Sequence, residues 1–234
     1  MQPTPPNYMA YDRTIVVYSP DGRLLQVEYA RQAVKRGSTA AGLVVNNGVL
    51  LGATKSSAPL SVSDSYKKIF AIDDHIGIVG SGILADARYL VEIARVKSQI
   101  NRITYGEPVS VQTVAKSLAN HKHMATQYAG LRPFGIGLLV GGVDSTGANL
   151  YETDPSGTML QWKAQAIGRG SEKAKKVLNS GYKKGMSVKE GLKLLVKALK
   201  AGEKSLPKEG IEIAVITESG MKKISPGEFD KQEE

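Results

Sequence analysis

Cysteine is absent from the 234 residues of the chain. That excludes a disulfide framework, a thiolate nucleophile and a cysteine-bound metal. Histidine is scarce, at three residues. His75 stands in a DDH turn. His121 and His123 are two apart on an expected helix, so they face different sides and form a poor metal pair. No metal and no cofactor are expected. A G-x-S-x-G nucleophile elbow is missing, which removes the usual sign of a serine hydrolase. No apolar run approaches the roughly 18 residues of a membrane span. The opening MQPTPPNYMAYDR has no basic start followed by an apolar stretch, so a secretory signal is not expected, and a cytoplasmic setting is.

Acidic residues are short in one region only. Residues 163–209 hold 13 Lys and Arg against 4 Asp and Glu, which accounts for the whole formal charge of +9 and leaves the rest of the chain neutral. Its lysines fall at helical spacing beside apolar residues, as in EGLKLLVKALKAGEK, the pattern of a solvated helix face. No aromatic residues interleave to stack bases, so a nucleic-acid partner is not expected.

What is present is a strongly patterned chain, with apolar residues at 41%. Residues 1–12 are polar and carry Pro3, Pro5 and Pro6, which reads as a mobile arm. YSPDG reads as a turn. Leu24, Val27, Ala30 and Val34 then recur at helical intervals, so a helix is expected over about 23–34, ending before Gly37. TAAGLVV, an NNG turn and VLLGAT make a hairpin, and YKKIFAI, DDH and IGIVGSG a second. Helices are expected over 83 to about 103 and 111 to about 128. FGIGLLVGGV, ANLYET and TMLQWKAQAIG read as three strands, 171–182 and 188–204 as two helices, and IEIAVIT as the last strand. EFDKQEE, residues 228–234, reads as a frayed tail. Strands and helices come in blocks rather than in alternation. That points to an α+β single domain, a four-layer α-β-β-α sandwich of two antiparallel sheets with an extra N-terminal helix. GSGILADAR and GRGSEKAKK each place glycines before a helix, but neither completes a dinucleotide fingerprint or a P-loop, and tight strand-to-helix turns account for both.

The stretch YDRTIVVYSPDGRLLQVEYARQAVKRGSTA resembles the N-terminal signature of proteasome α subunits of the archaeal 20S type. The resemblance continues through SYKKIFAIDDHIGIVGSGILADARYLVEIAR, QYAGLRPFGIGLLVGG, DPSGT and AIGRGSEKAKKVL, and so covers nearly the entire chain. It implies the N-terminal-nucleophile hydrolase fold and seven-membered rings of α subunits stacked on β rings. The β subunits carry a catalytic N-terminal threonine, and α subunits do not.

By that resemblance Ser38 stands near the nucleophile position, Thr54 near its acidic partner, and Lys68 at the active-site lysine. In this fold the nucleophile's own amino group is the base. The 37 residues before Ser38 look like a retained element, so no free amine arises and no catalytic residue is expected. The helix over 23–34 is expected to cover the cleft, and the arm to gate entry. The implied gate residues are Tyr11, Asp12, Arg13, Pro20 and Tyr29. The implied activator site is Lys68, receiving a C-terminal carboxylate, with Gly37, Gly82 and Ile83 around it and Lys67 facing away. The implied partners are β subunits, other α subunits and an ATPase activator ring with C-terminal docking peptides. The competing reading is a β-type peptidase that processes itself before Ser38 or Thr39.

Overall fold

The computed structural model describes residues 16–55, 60, 67–203 and 210–224. The arm at 1–12 and the tail at 228–234, with Tyr11, Asp12 and Arg13, lie outside the described residues.

The turn before the first described helix closes where the sequence places it. The amide of Gly22 donates to Ser19 O at 2.8 Å, with Gly22 at φ 77°, a region that glycine enters without steric cost. Helix α1 spans Leu25–Arg36, two residues later than expected at each end. Its start is delayed because the turn holds on: the amide of Arg23 donates to Ser19 Oγ at 3.1 Å. It ends at Gly37, whose amide still reaches Ala33 O and Val34 O while its own backbone turns extended.

Strands β1 (Ala40–Val45) and β2 (Gly48–Thr54) form the first hairpin, and Asn47 takes the left-handed conformation at its tip. Strands β3 (Ile69–Asp73) and β4 (Ile76–Gly82) form the second. Helices α2 (Leu84–Tyr105) and α3 (Val111–Ala125) follow. The latter stops short of 128, where Thr126 Oγ1 turns back to His123 O at 2.7 Å. Then come β5 (Ile136–Asp144), β6 (Gly147–Thr153), β7 (Met159–Gln161), β8 (Ala164–Ile167), α4 (Ser171–Gly181), α5 (Val188–Gly202), β9 (Ile211–Thr217) and β10 (Gly220–Ile224).

Two strand assignments are corrected. TMLQWKAQAIG is not one strand. Its first part, β7, pairs with β6, and its second, β8, pairs with β1 in the other sheet. Nor is IEIAVIT the last strand, since β10 pairs antiparallel with it at the sheet edge.

One sheet runs β10-β9-β2-β1-β8 and the other β3-β4-β5-β6-β7. Their side chains alternate between three apolar clusters, as the period of two in a strand demands. Ala41, Leu43, Val45 and Leu50 point outward under α4 and α5. Ile76, Ile78, Leu138 and Val140 point outward under α2 and α3. Val49, Leu51, Val79, Leu139 and Ile216 fill the space between the sheets. A helical pair on each outer face completes the expected four layers. Helix α1 lies apart from both pairs, against β4 and β5.

Candidate functional site

Helix α1 is fixed by its apolar stripe and by one long-range ion pair. Leu25, Val27 and Ala30 are buried. Arg31 reaches Asp154 in the DPSGT turn, with Nη2 at 2.8 Å and Nε at 3.0 Å from Oδ2. That carboxylate also organises its own turn, accepting from the amides of Ser156 and Thr158. Ala33 and Val34 pack so close to Gly135 and Gly137 that a Cβ on Gly137 would stand 2.9 Å from Val34 Cγ1. The loop carrying Gly135 is held in turn by Asp86 in the first turn of α2. Asp86 accepts a two-pronged contact from Arg132, at 2.7 and 2.8 Å, and the Gly135 amide at 2.8 Å.

Where α1 joins β1, several polar side chains converge. The Lys68 ammonium donates to Ser38 Oγ at 2.7 Å, Ser38 O at 2.9 Å and Thr54 O at 3.5 Å. All three are neutral oxygens, and Lys68 is 2% exposed. Desolvation pulls its pKa down to about 8, although Glu203 and Glu212 act the other way. Ser38 Oγ donates to Thr54 O. Thr54 Oγ1 donates to Thr39 O and to Glu203 Oε1. Glu203 accepts from Thr39 Oγ1 at 2.8 Å and pairs with Arg169 at 2.7 Å. Burial pushes the Glu203 carboxyl up. Arg169 and the Thr39 amide and hydroxyl outweigh that and hold it below the usual carboxylate value.

Beside this cluster opens a cavity of about 510 Å³. One wall is α1, through Tyr29, Gln32, Ala33 and Arg36, and the other is Gly37, Gly82 and Ile83. The glycines permit the close approach: a Cβ on Gly37 would lie 2.3 Å from the amide nitrogen of Gly82.

The sequence-derived residues thus fall into three places. Gly37, Gly82, Ile83 and Tyr29 share the cavity wall. Lys68 does not line it, and sits behind Ser38. Pro20 is exposed in the turn before α1, and among the described residues the Tyr29 hydroxyl has no hydrogen-bond partner. Lys67 is exposed where Lys68 is buried. Sequence reasoning missed Glu203, Arg169 and the cavity's Arg36, and it named Thr39 only as a possible processing point. Arg169 was visible only as the middle of a GRG turn, and Glu203 only as a helix-end acid. Their meeting with Thr39, 164 residues from Glu203 along the chain, leaves no local trace.

Chemically, the cluster has a hydroxyl and a lysine in contact but no amine at residue 38. The Ser38 nitrogen is in a peptide bond, and the Gly37 carbonyl on its other side accepts from the Arg169 amide at 2.9 Å.

Two family profiles match the chain. That of the proteasome subunit covers residues 34–216, and that of the N-terminal signature of A-type proteasome subunits covers residues 11–33. The chain belongs to the proteasome subunit family. Among its curated relatives, the proteasome alpha subunit of Methanopyrus kandleri is 47% identical over 94% of this chain and 90% of its own length. Those of Pyrococcus horikoshii and Thermococcus sibiricus are each 48% identical, over 97% of this chain and 88% of theirs. The signature match contains most of α1, so the helix that precedes Ser38 is part of what the α-type members of the family share. Among the described residues no helix is long and apolar enough to cross a membrane, and no group of His, Cys, Asp and Glu could hold a metal ion.

Proposed function

We propose that this chain is a non-catalytic α subunit of a 20S-type proteasome core. Seven copies form each outer ring, gate the entry of unfolded proteins through residues 1–12, and dock the C-termini of an ATPase activator. Substrates then reach the threonine-protease β subunits within. The observation that carries this reading is the continuity of α1 with Ser38. An N-terminal-nucleophile enzyme needs a free amine on the residue that attacks. Here that position is preceded by a packed helix, held by Arg31 to Asp154 and by Ala33 and Val34 against the second sheet.

Activator docking is supported by the cavity between α1 and Gly82–Ile83. Arg36 on its wall attracts an incoming carboxylate, and Lys68 behind Ser38 supplies the charge that holds it once the peptide is seated. A carboxylate leaving water needs such a charge together with backbone donors. By the family resemblance, Tyr11, Asp12, Pro20 and Tyr29 are the cluster that holds the gate open, and Tyr29 brings its hydroxyl to it.

The assembled particle tests gating directly. Deleting residues 1–12 should speed hydrolysis of an unfolded protein far more than that of a short peptide, because only the protein is slowed by an obstructed pore. Equal acceleration of both substrates would contradict the gate.

A further inference from the structure

The two outer helical pairs treat charge differently. On α2, Arg95 pairs with Glu92 and Arg102 reaches Asp73. On α4 and α5, Lys173, Lys176, Lys189, Lys193, Lys197 and Lys200 are all exposed. Among the described residues none of them is in an ion pair. The two acids on these helices offer little relief. Glu190 is taken by the Ser187 capping box, and Glu172, in the first turn of α4, is spaced to relieve only Lys175 and Lys176. Lys189, Lys193 and Lys197 follow one another at four-residue intervals and Lys200 three further on, so like charges repel along a single ridge. The spacing alone reads as a solvated face, but such faces commonly alternate the sign of their charges, and here one sign prevails along the ridge.

The face is not an apolar packing surface either. The exposed large hydrophobic side chains include Tyr89, Val96, Ile100 and Ile103 on α2 and none on α4 or α5. The apolar residues of α5 point inward, with Leu192, Leu195, Ala198 and Leu199 buried under the first sheet. What remains outside is a ridge of ammonium groups on flexible stems.

We infer that the α4–α5 face is a docking surface for an acidic protein segment. Lysine, a hydrated point charge with three donors, suits scattered carboxylates. The forked arginines that grip phosphates are absent from these two helices, and the one aromatic residue between them, Tyr182, is half-buried against the core. A nucleic-acid strand would lack both its phosphate clamps and its stacking platforms here. The inference does not depend on the ring proposed above, since every copy carries the whole face.

The test is fluorescence anisotropy of a labelled polyglutamate peptide titrated with the full chain across a range of salt. Binding should persist at about 0.15 M salt and weaken steeply above it. Lys189→Glu, Lys193→Glu and Lys197→Glu together should weaken it about tenfold or more, and the corresponding three Lys→Gln changes should weaken it less. Lys97→Glu with Lys116→Glu, on α2 and α3, should leave it unchanged. No binding at about 0.15 M salt, or equal loss from the control reversal, would overturn the inference. So would a single-stranded oligonucleotide of matched charge that binds as tightly as the peptide.

Discussion

Lys68 and Lys122 are the two largest fully buried side chains of the described residues, and they sit in comparable nests. Each ammonium donates to three neutral oxygens, those of Ser38 and Thr54 for Lys68 and those of Ile136 and Thr153 for Lys122. Desolvation lowers both, Lys68 to about 8 and Lys122 to about 7, against the nearest carboxylates in each case. Their settings separate them. Lys68 stands behind one residue of backbone from a cavity with an arginine on its wall. Lys122 is sealed between α3 and the strands β5 and β6, with Asp154, Glu152 and Asp86 acting on it only at a distance. A buried lysine alone is thus no sign of a binding site. The opening beside it carries the functional reading.

The sharpest way to break this comparison is to remove each lysine in the assembled particle. Lys68→Ala should abolish stimulation by an ATPase activator while basal cleavage of short peptides survives. A charge-assisted contact contributes roughly 1.5–3 kcal/mol per site, and its repetition around a ring multiplies the effect. The fold should tolerate the change, because Ser38 O keeps its bond from Ser81 Oγ at 2.9 Å. Undiminished stimulation would remove Lys68 from the docking site.

Lys122→Met should leave stimulation intact and change stability instead. The folded pKa of about 7 lies below the usual value of 10.5, so the unfolded chain binds the extra proton between those two values. Stability from this group therefore rises as pH increases through that window and falls as pH drops. The urea midpoint of the parent should climb between pH 7 and 10 relative to that of the variant. Parallel midpoints would mean that Lys122 stays charged when folded. The sign is reversed for docking at Lys68, which needs the charged form. A seated carboxylate favours the ammonium form, so activation should decline as pH passes above about 8, and a flat profile would argue that Arg36 alone holds the carboxylate.

Smaller effects sharpen the contrast within the cavity. Tyr29→Phe should preserve assembly and reduce activator-stimulated degradation of an unfolded protein by several fold, the scale of one lost hydrogen bond of roughly 0.5–1.5 kcal/mol. Lys67→Ala, at an exposed position one residue from Lys68, should change stimulation least of all.

Much of this was legible in the sequence. The block order of strands and helices announced two covered antiparallel sheets, and the NNG and DDH turns marked their hairpins. TMLQWKAQAIG was misread because its apolar pattern runs unbroken through the crossing between sheets. There, the Trp162 amide turns to Leu150 O and the Lys163 carbonyl accepts from Val44. β10 escaped notice because an edge strand is short and lysine-bearing, as Lys222 and Lys223 make it. Nothing in ANHKHM marks Lys122 as buried, and only the packing of α3 on its sheet reveals it. Gly37, Gly82 and Ile83 were named through the family resemblance and share one cavity wall, whereas Glu203 and Arg169 depend on contacts between distant segments that no local pattern encodes.

The central claim is that α1 remains joined to Ser38 in the working particle and denies it a free amine. Intact mass measurement of this chain, taken from particles assembled with β subunits, tests that claim most directly. The account predicts a chain that still carries residues 11–37 ahead of Ser38, with no species beginning at Ser38 or Thr39. A mature chain starting at either residue would show self-processing of the β type and contradict the account.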